Sequence, residues 1–194
     1  MTALAGGVLA LSLLLAPALA IAQGSVQPVA DAATAAGLAA PAEAGGLTLR
    51  ARGAGEYRYF GFLVYQARLW AGPEFQAGRY AEGPLLLELR YARSLRGEAI
   101  AERSLLEMRR QGPFDAPQAE RWLATMRQAF PDVAAGDRLS GLYQPGQPTR
   151  FFHNGRLTAT LDDPEFARRF FGIWLAPQSS APELRRALLD GGMP

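Results

Sequence analysis

The chain has no cysteine, no lysine and a single histidine among its 194 residues. Without cysteine there is neither a disulfide framework nor a thiolate nucleophile. Without lysine no side chain can form a Schiff base, and all twenty basic residues are arginine. His153 stands beside Asn154-Gly155, a turn signal, and one histidine cannot assemble a zinc site. No serine sits in a nucleophile elbow that would make His153 the base of a triad. Gly53-Ala54-Gly55 lacks the last glycine and the following helix of a dinucleotide fingerprint, so it reads as a turn. Asp162-Asp163 belongs to a helix start, and Glu102 and Glu107, five residues apart, do not form an acid-base dyad by spacing. Neither a metal nor a cofactor is expected. The formal net charge of +2 is spread along the chain, with no basic stripe for nucleic acid.

The front of the chain, "MTALAGGVLALSLLLAPALA", has an apolar run from Val8 to Leu15, then Pro17 and small residues at Ala18, Ala20 and Ala22. This is the pattern of a secretory leader with an A-x-A cleavage site, although no Lys or Arg precedes the apolar run. Residues 1–22 are therefore expected to be a signal peptide, and the protein to be periplasmic or secreted. An uncleaved anchor is the alternative, and the only membrane contact expected. Residues 23–46, rich in Ala, Gly and Pro, are expected to form a linker or loose arm, because they have little apolar surface to bury. Residues 47–194 are the expected folded domain, of a size suited to one core.

Within that domain "LTLRAR", Leu47 to Arg52, alternates as a strand does. "EYRYFGFLVYQARLW" reads as one long strand bent at Gly61, apolar on both faces in its middle. "LLLELRYAR" is the next strand, and Asn154-Gly155 marks a hairpin. Helical periodicity covers Gly97 to Gln111, then a segment capped by Asp115 with Gln118 three residues on. Asp163-Pro164 and "APELRRALL" open two more helices. Strands and helices are segregated along the chain, which predicts an α+β fold with an antiparallel sheet. A sheet with helices on one side needs one apolar face; a strand apolar on both implies a second cover or a ligand.

What remains for chemistry is arginine among aromatics. Arg58, Arg90, Tyr65 and Tyr91 fall in strands, and Arg103 lies in the first helix four residues before Glu107. As structural elements these are surface cations and an ordinary i,i+4 pair. As a site, one Arg helped by a Tyr hydroxyl would anchor a carboxylate through its planar fork, with the ligand's tail running over the aromatic face.

The ordered set "GAGEYRYFGFLVYQARLW", "LLLELRYARSLRGEAIAERSLLEMRR", "FPDVAAGDRLSGLYQPG", "FFHNGRLTATLDDPEFARRFFGIWL" and "APELRRALL" resembles the bacterial chalcone isomerase-like proteins over nearly all of residues 47–189. The resemblance implies an open-faced β-sandwich, a large antiparallel sheet packed against a helical layer, with a ligand cleft between them. It also implies that relatives include fatty-acid-binding proteins that hold the carboxylate with Arg and Tyr. The isomerase chemistry does not carry over. Where the plant isomerases have Arg and Thr this chain has Tyr57 and Phe60, and where they have Tyr and Asn it has Ile100 and Glu107. Phe60 and Ile100 in place of hydroxyls would leave an apolar slot.

The reading that results is a non-catalytic protein binding a small amphipathic carboxylate, such as a fatty acid, with Arg58, Tyr65, Arg90, Tyr91, Arg103, Phe60 and Ile100 as ligand-binding residues. An intramolecular lyase acting on an enone is one alternative. A structural or interaction protein whose cleft is filled by its own side chains is the other.

Overall fold

The computed structural model describes residues 39–190. The expected signal peptide and most of the expected linker lie outside these residues. Six strands, β1 (Arg50–Tyr59), β2 (Phe62–Ala71), β3 (Leu85–Tyr91), β4 (Arg138–Tyr143), β5 (Thr149–His153) and β6 (Arg156–Leu161), form one antiparallel sheet in sequence order. Helices α1 (Gly97–Arg109) and α2 (Ala116–Ala129) intervene between β3 and β4, and α3 (Pro164–Leu175) and α4 (Pro182–Leu189) follow β6. The helices cover one face of the sheet, which is the α+β open-faced arrangement that the segregated pattern predicts.

Local chemistry sets the element ends. Asp115 accepts from the Gln118 amide at 2.7 Å while the Gln118 side chain accepts from the Asp115 amide, closing the capping box of α2. Asp163 caps α3 through the Phe166 amide, and its second oxygen accepts from the Trp122 indole at 2.7 Å, tying α2 to α3. Asn154 and Gly155 both have positive φ, giving the type I′ turn that joins β5 to β6.

Two expectations about the first strands are corrected. The stretch read as one bent strand is a hairpin: Tyr59 pairs with Phe62, and Phe60 (φ 48°) and Gly61 (φ 81°) form the two-residue turn. Gly53-Ala54-Gly55 is not a turn but the middle of β1. Both glycines lie under α4. A Cβ on Gly53 would stand 2.1 Å from the Ala187 carbonyl oxygen, and one on Gly55 would stand 2.9 Å from Leu184 Cδ1. The missing side chains let α4 sit directly on the strand.

Alternation then sorts the sheet. Ala67, Leu69 and Ala71 of β2, Leu85, Leu87, Leu89 and Tyr91 of β3, and Phe151 of β5 face the helices and pack with Trp122, Phe166, Phe170 and Phe171. Trp70, Leu86, Leu142 and Phe152 face the other way and form a second, smaller core. Its cover is the chain's own arm. Ala40, Ala44, Leu47 and Leu49 pack on it, with a short 3-10 turn at Ala42–Ala44. The folded part thus reaches back beyond Leu47, into the stretch expected to be loose. The rest of this outer face is polar, with Gln66, Glu88, Arg90 and Arg138 on neighbouring strands. Arg138 meets the buried Glu88 at 2.8 Å.

Candidate functional site

Between the helix-covered face of the sheet and helices α1 and α3 lies a cavity of about 450 Å³, within the range of small-molecule sites. Its interior is apolar, made by Leu87, Leu89, Leu139, Phe151, Phe170 and Phe171. Polar groups gather where β1, β2 and α1 meet. They include Tyr57, Tyr65, Tyr91, Arg103, Ser104 and Glu107, and Arg93 also lines the cavity. Inward-facing positions of the strands supply the tyrosines, and successive turns of α1 supply Ile100, Arg103, Ser104 and Glu107 on one stripe.

The tyrosines form a stack. Tyr57 and Tyr65 lie face to face at 5.1 Å between ring centroids, and Tyr91 meets Tyr65 edge-on at 5.8 Å. The Trp174 indole donates to the Tyr65 hydroxyl at 3.1 Å. Burial pushes the hydroxyls of Tyr65 and Tyr91 well above the ordinary tyrosine value, with the Trp174 hydrogen bond opposing the shift at Tyr65. Both stay protonated through the neutral range, and the Tyr65 O–H is left to donate.

At the rim the Arg103 guanidinium, half exposed, holds Glu107 Oε1 at 2.6 Å. Glu107 itself is buried. Among the described residues its Oε2 has no hydrogen-bond donor, and Arg110 Nε stands 3.6 Å away, too far for one. Arg103 has five N–H donors in a fixed fork, so those not turned to Glu107 are available to a second acceptor at the cavity mouth.

Of the residues singled out in the sequence, Tyr65, Tyr91, Ile100 and Arg103 come together around this cavity. Arg58, Phe60 and Arg90 do not, and for these the expectation is corrected. Arg58 is exposed, pairing with Glu56 at 2.8 Å and donating to the Gly61 carbonyl. Phe60 is 84% exposed at the hairpin apex. Arg90 points from the outer face, opposite Arg138 and Gln66. Sequence reasoning set Tyr57 and Glu107 at the positions of isomerase residues without counting them as ligand-binding, and it missed Trp174. Tyr57 shares the parity of Tyr65, and Glu107 lies one helical turn after Arg103, so both were within reach of periodicity. The Trp174 contact spans 109 residues and has no local signal. Among the described residues the buried arginine is Arg169, satisfied by Glu165 and the carbonyls of Gly112 and Pro113, and it needs no ligand anion.

Comparison with known proteins bears on the family and the fold. An uncharacterised protein of Haemophilus influenzae is 30% identical over 139 residues, which is 71% of this chain; the match spans 66% of that relative. The crystal structure of a fatty-acid binding protein of Arabidopsis thaliana superposes with a TM-score of 0.57 over 80% of this chain and 93% of that one, at 13% identity, so the likeness is one of fold. The profile of the chalcone isomerase-like family matches residues 31–190, and the chain belongs to that family.

Proposed function

We propose that this protein is an exported, non-catalytic binder of a small amphipathic acid of the fatty-acid class. The observation that carries the reading is the cavity between sheet and helices, apolar in its depth, with Arg103 and the Tyr65 hydroxyl at its polar end. The tail would replace water against Leu87, Leu89 and Phe170, and burying each methylene contributes about 0.8 kcal/mol. The carboxylate would meet the free edge of the Arg103 fork and the Tyr65 O–H. An open cavity of this size supports the binder over a cleft packed with the protein's own side chains. Membership of a family whose fold a fatty-acid binding protein shares supports it as well.

The test is direct. Protein isolated without detergent should carry fatty acid detectable by native mass spectrometry, and delipidated protein should bind a fluorescent fatty acid at micromolar concentration. Absence of both rejects the reading. Export is checked by the mass of the mature chain from the periplasmic fraction, expected to lack the residues up to Ala20 or Ala22.

A further inference from the structure

The β1–β2 hairpin reaches past the sheet. The pairing of β2 with β3 begins at Tyr65 and Tyr91, so the tip from Arg58 to Val64 is a two-stranded ribbon with no third strand beside it among the described residues. Its large side chains are bare. Tyr59 is 54% exposed, Phe60 84% and Phe62 66%, making this the densest group of exposed large apolar side chains among the described residues. Phe60 occupies the apex at φ 48°, a left-handed conformation that a bulky aromatic side chain seldom adopts and that Asn or Gly would take with less strain. An aromatic ring held there against its own backbone preference points to a use for that ring.

Behind the aromatics stands positive charge. Arg58 lies on the ribbon and Arg93 stacks on the Phe62 ring at 5.8 Å. The loop after β3, joined to β2 by the Ala92 amide and the Val64 carbonyl at 2.9 Å, carries Arg93 and Arg96 and no acid. Among the described residues Arg58 is ion-paired, to Glu56, whereas Arg93 and Arg96 make no ion pair. The tip is also continuous with the cavity, because Tyr59 and Val64 of the tip line it beside Tyr57 and Arg93.

We propose that this hairpin tip docks on an anionic lipid bilayer, with Tyr59, Phe60 and Phe62 in the interfacial layer and Arg58, Arg93 and Arg96 against the headgroups. Exposed aromatics ringed by arginine suit that layer, where an amphipathic ring and a cation both find partners. Docking there would turn the cavity mouth toward the membrane. It adds a contact surface distinct from the leader, and it rests on the carrier reading only for what then passes through the mouth.

The experiment uses the full chain with Phe60→Trp. Trp70, Trp122 and Trp174 are buried, so the difference from the unsubstituted chain reports the apex. With vesicles of phosphatidylglycerol in phosphatidylcholine bearing brominated acyl chains, the introduced indole should shift to the blue and be quenched. The effect should weaken on phosphatidylcholine alone and in high salt. Phe60→Ser with Phe62→Ser should lower vesicle co-sedimentation on the order of tenfold while fluorescent fatty-acid binding without vesicles is unchanged. An indole that stays in water and unquenched on anionic vesicles overturns the proposal. So does burial of the indole by concentration-dependent self-association without lipid. Loss of fatty-acid binding with vesicle docking intact would instead remove the carrier reading alone.

Discussion

Glu107 controls the charge at the cavity rim. It is buried, holds Arg103 at 2.6 Å, and leaves one oxygen without a donor. A ligand carboxylate arriving at Arg103 meets this fixed negative charge and shares its cation. Glu107→Gln keeps the shape and a hydrogen bond to Arg103 but removes the repulsion. Fatty-acid affinity should rise by about tenfold, ~1.4 kcal/mol, a modest share of the attraction or repulsion between unit charges near a protein surface. In that background Arg103→Ala leaves no orphaned carboxylate and should reduce affinity by about 1.5–3 kcal/mol, the range for a hydrogen bond to a charged group; equilibrium titration reads both. The tyrosines give a separate signature. The unfolded chain loses tyrosine protons near pH 10, whereas Tyr65 and Tyr91 hold theirs higher when folded. Between those values the folded state binds more protons, so the stability is intact below about pH 10 and falls as pH rises above it. Denaturant midpoints measured across that range should show the fall, and Tyr91→Phe should make it shallower.

At the scale of elements, parity and punctuation explain which parts of the sequence could be read. The α2 and α3 caps, the Asn154-Gly155 hairpin and the helix stripes each carry a local signal, and each stands where the pattern puts it. The first hairpin carries none, because Phe60 is a residue that turn chemistry does not suggest. Reading through it moved Phe60 and Arg58 into a continuous strand and hence toward a site they do not share. The Gly53-Gly55 pair misled for the opposite reason: turn residues there serve a helix packed on a strand, and that helix arrives over 120 residues later in the chain. Both points predict. Gly53→Ala should destabilise by about 1–3 kcal/mol, the cost of overpacking, since the clash is with the α4 backbone and not with a side chain that can turn away. Phe60→Asn should raise the melting temperature, gaining about 1 kcal/mol from relief of the left-handed strain. The same change should reduce vesicle binding, so stability and docking would move in opposite directions.

At the scale of the molecule, the sheet separates two cores. The larger encloses the cavity; the smaller lies under the arm. The apolar middle of the first long stretch implied a second cover or a ligand, but its Tyr59, Phe60 and Phe62 are the bare hairpin tip; the outer face is covered at Trp70, and nothing in an Ala-, Gly- and Pro-rich stretch identified that stretch as the cover. Its contribution comes from a few contacts, Ala44, Leu47 and Leu49 on Trp70, Leu86 and Leu142, too sparse to register as a periodic pattern. Because the two cores touch only through the strand backbones, changes in one should leave binding in the other unaffected. Leu49→Ala opens space beneath the arm and should cost about 2–4 kcal/mol of stability. It leaves every residue of the cavity rim in place. Saturating fatty acid stabilises the folded state by RT ln(1 + [L]/Kd), which depends on affinity and not on the starting stability. The ligand-induced gain in unfolding free energy should therefore be equal in Leu49→Ala and in the unsubstituted protein, when both are measured by denaturant titration at one ligand concentration. A smaller gain in the variant would mean that the arm, acting through the sheet, shapes the cavity as well as covering the far face.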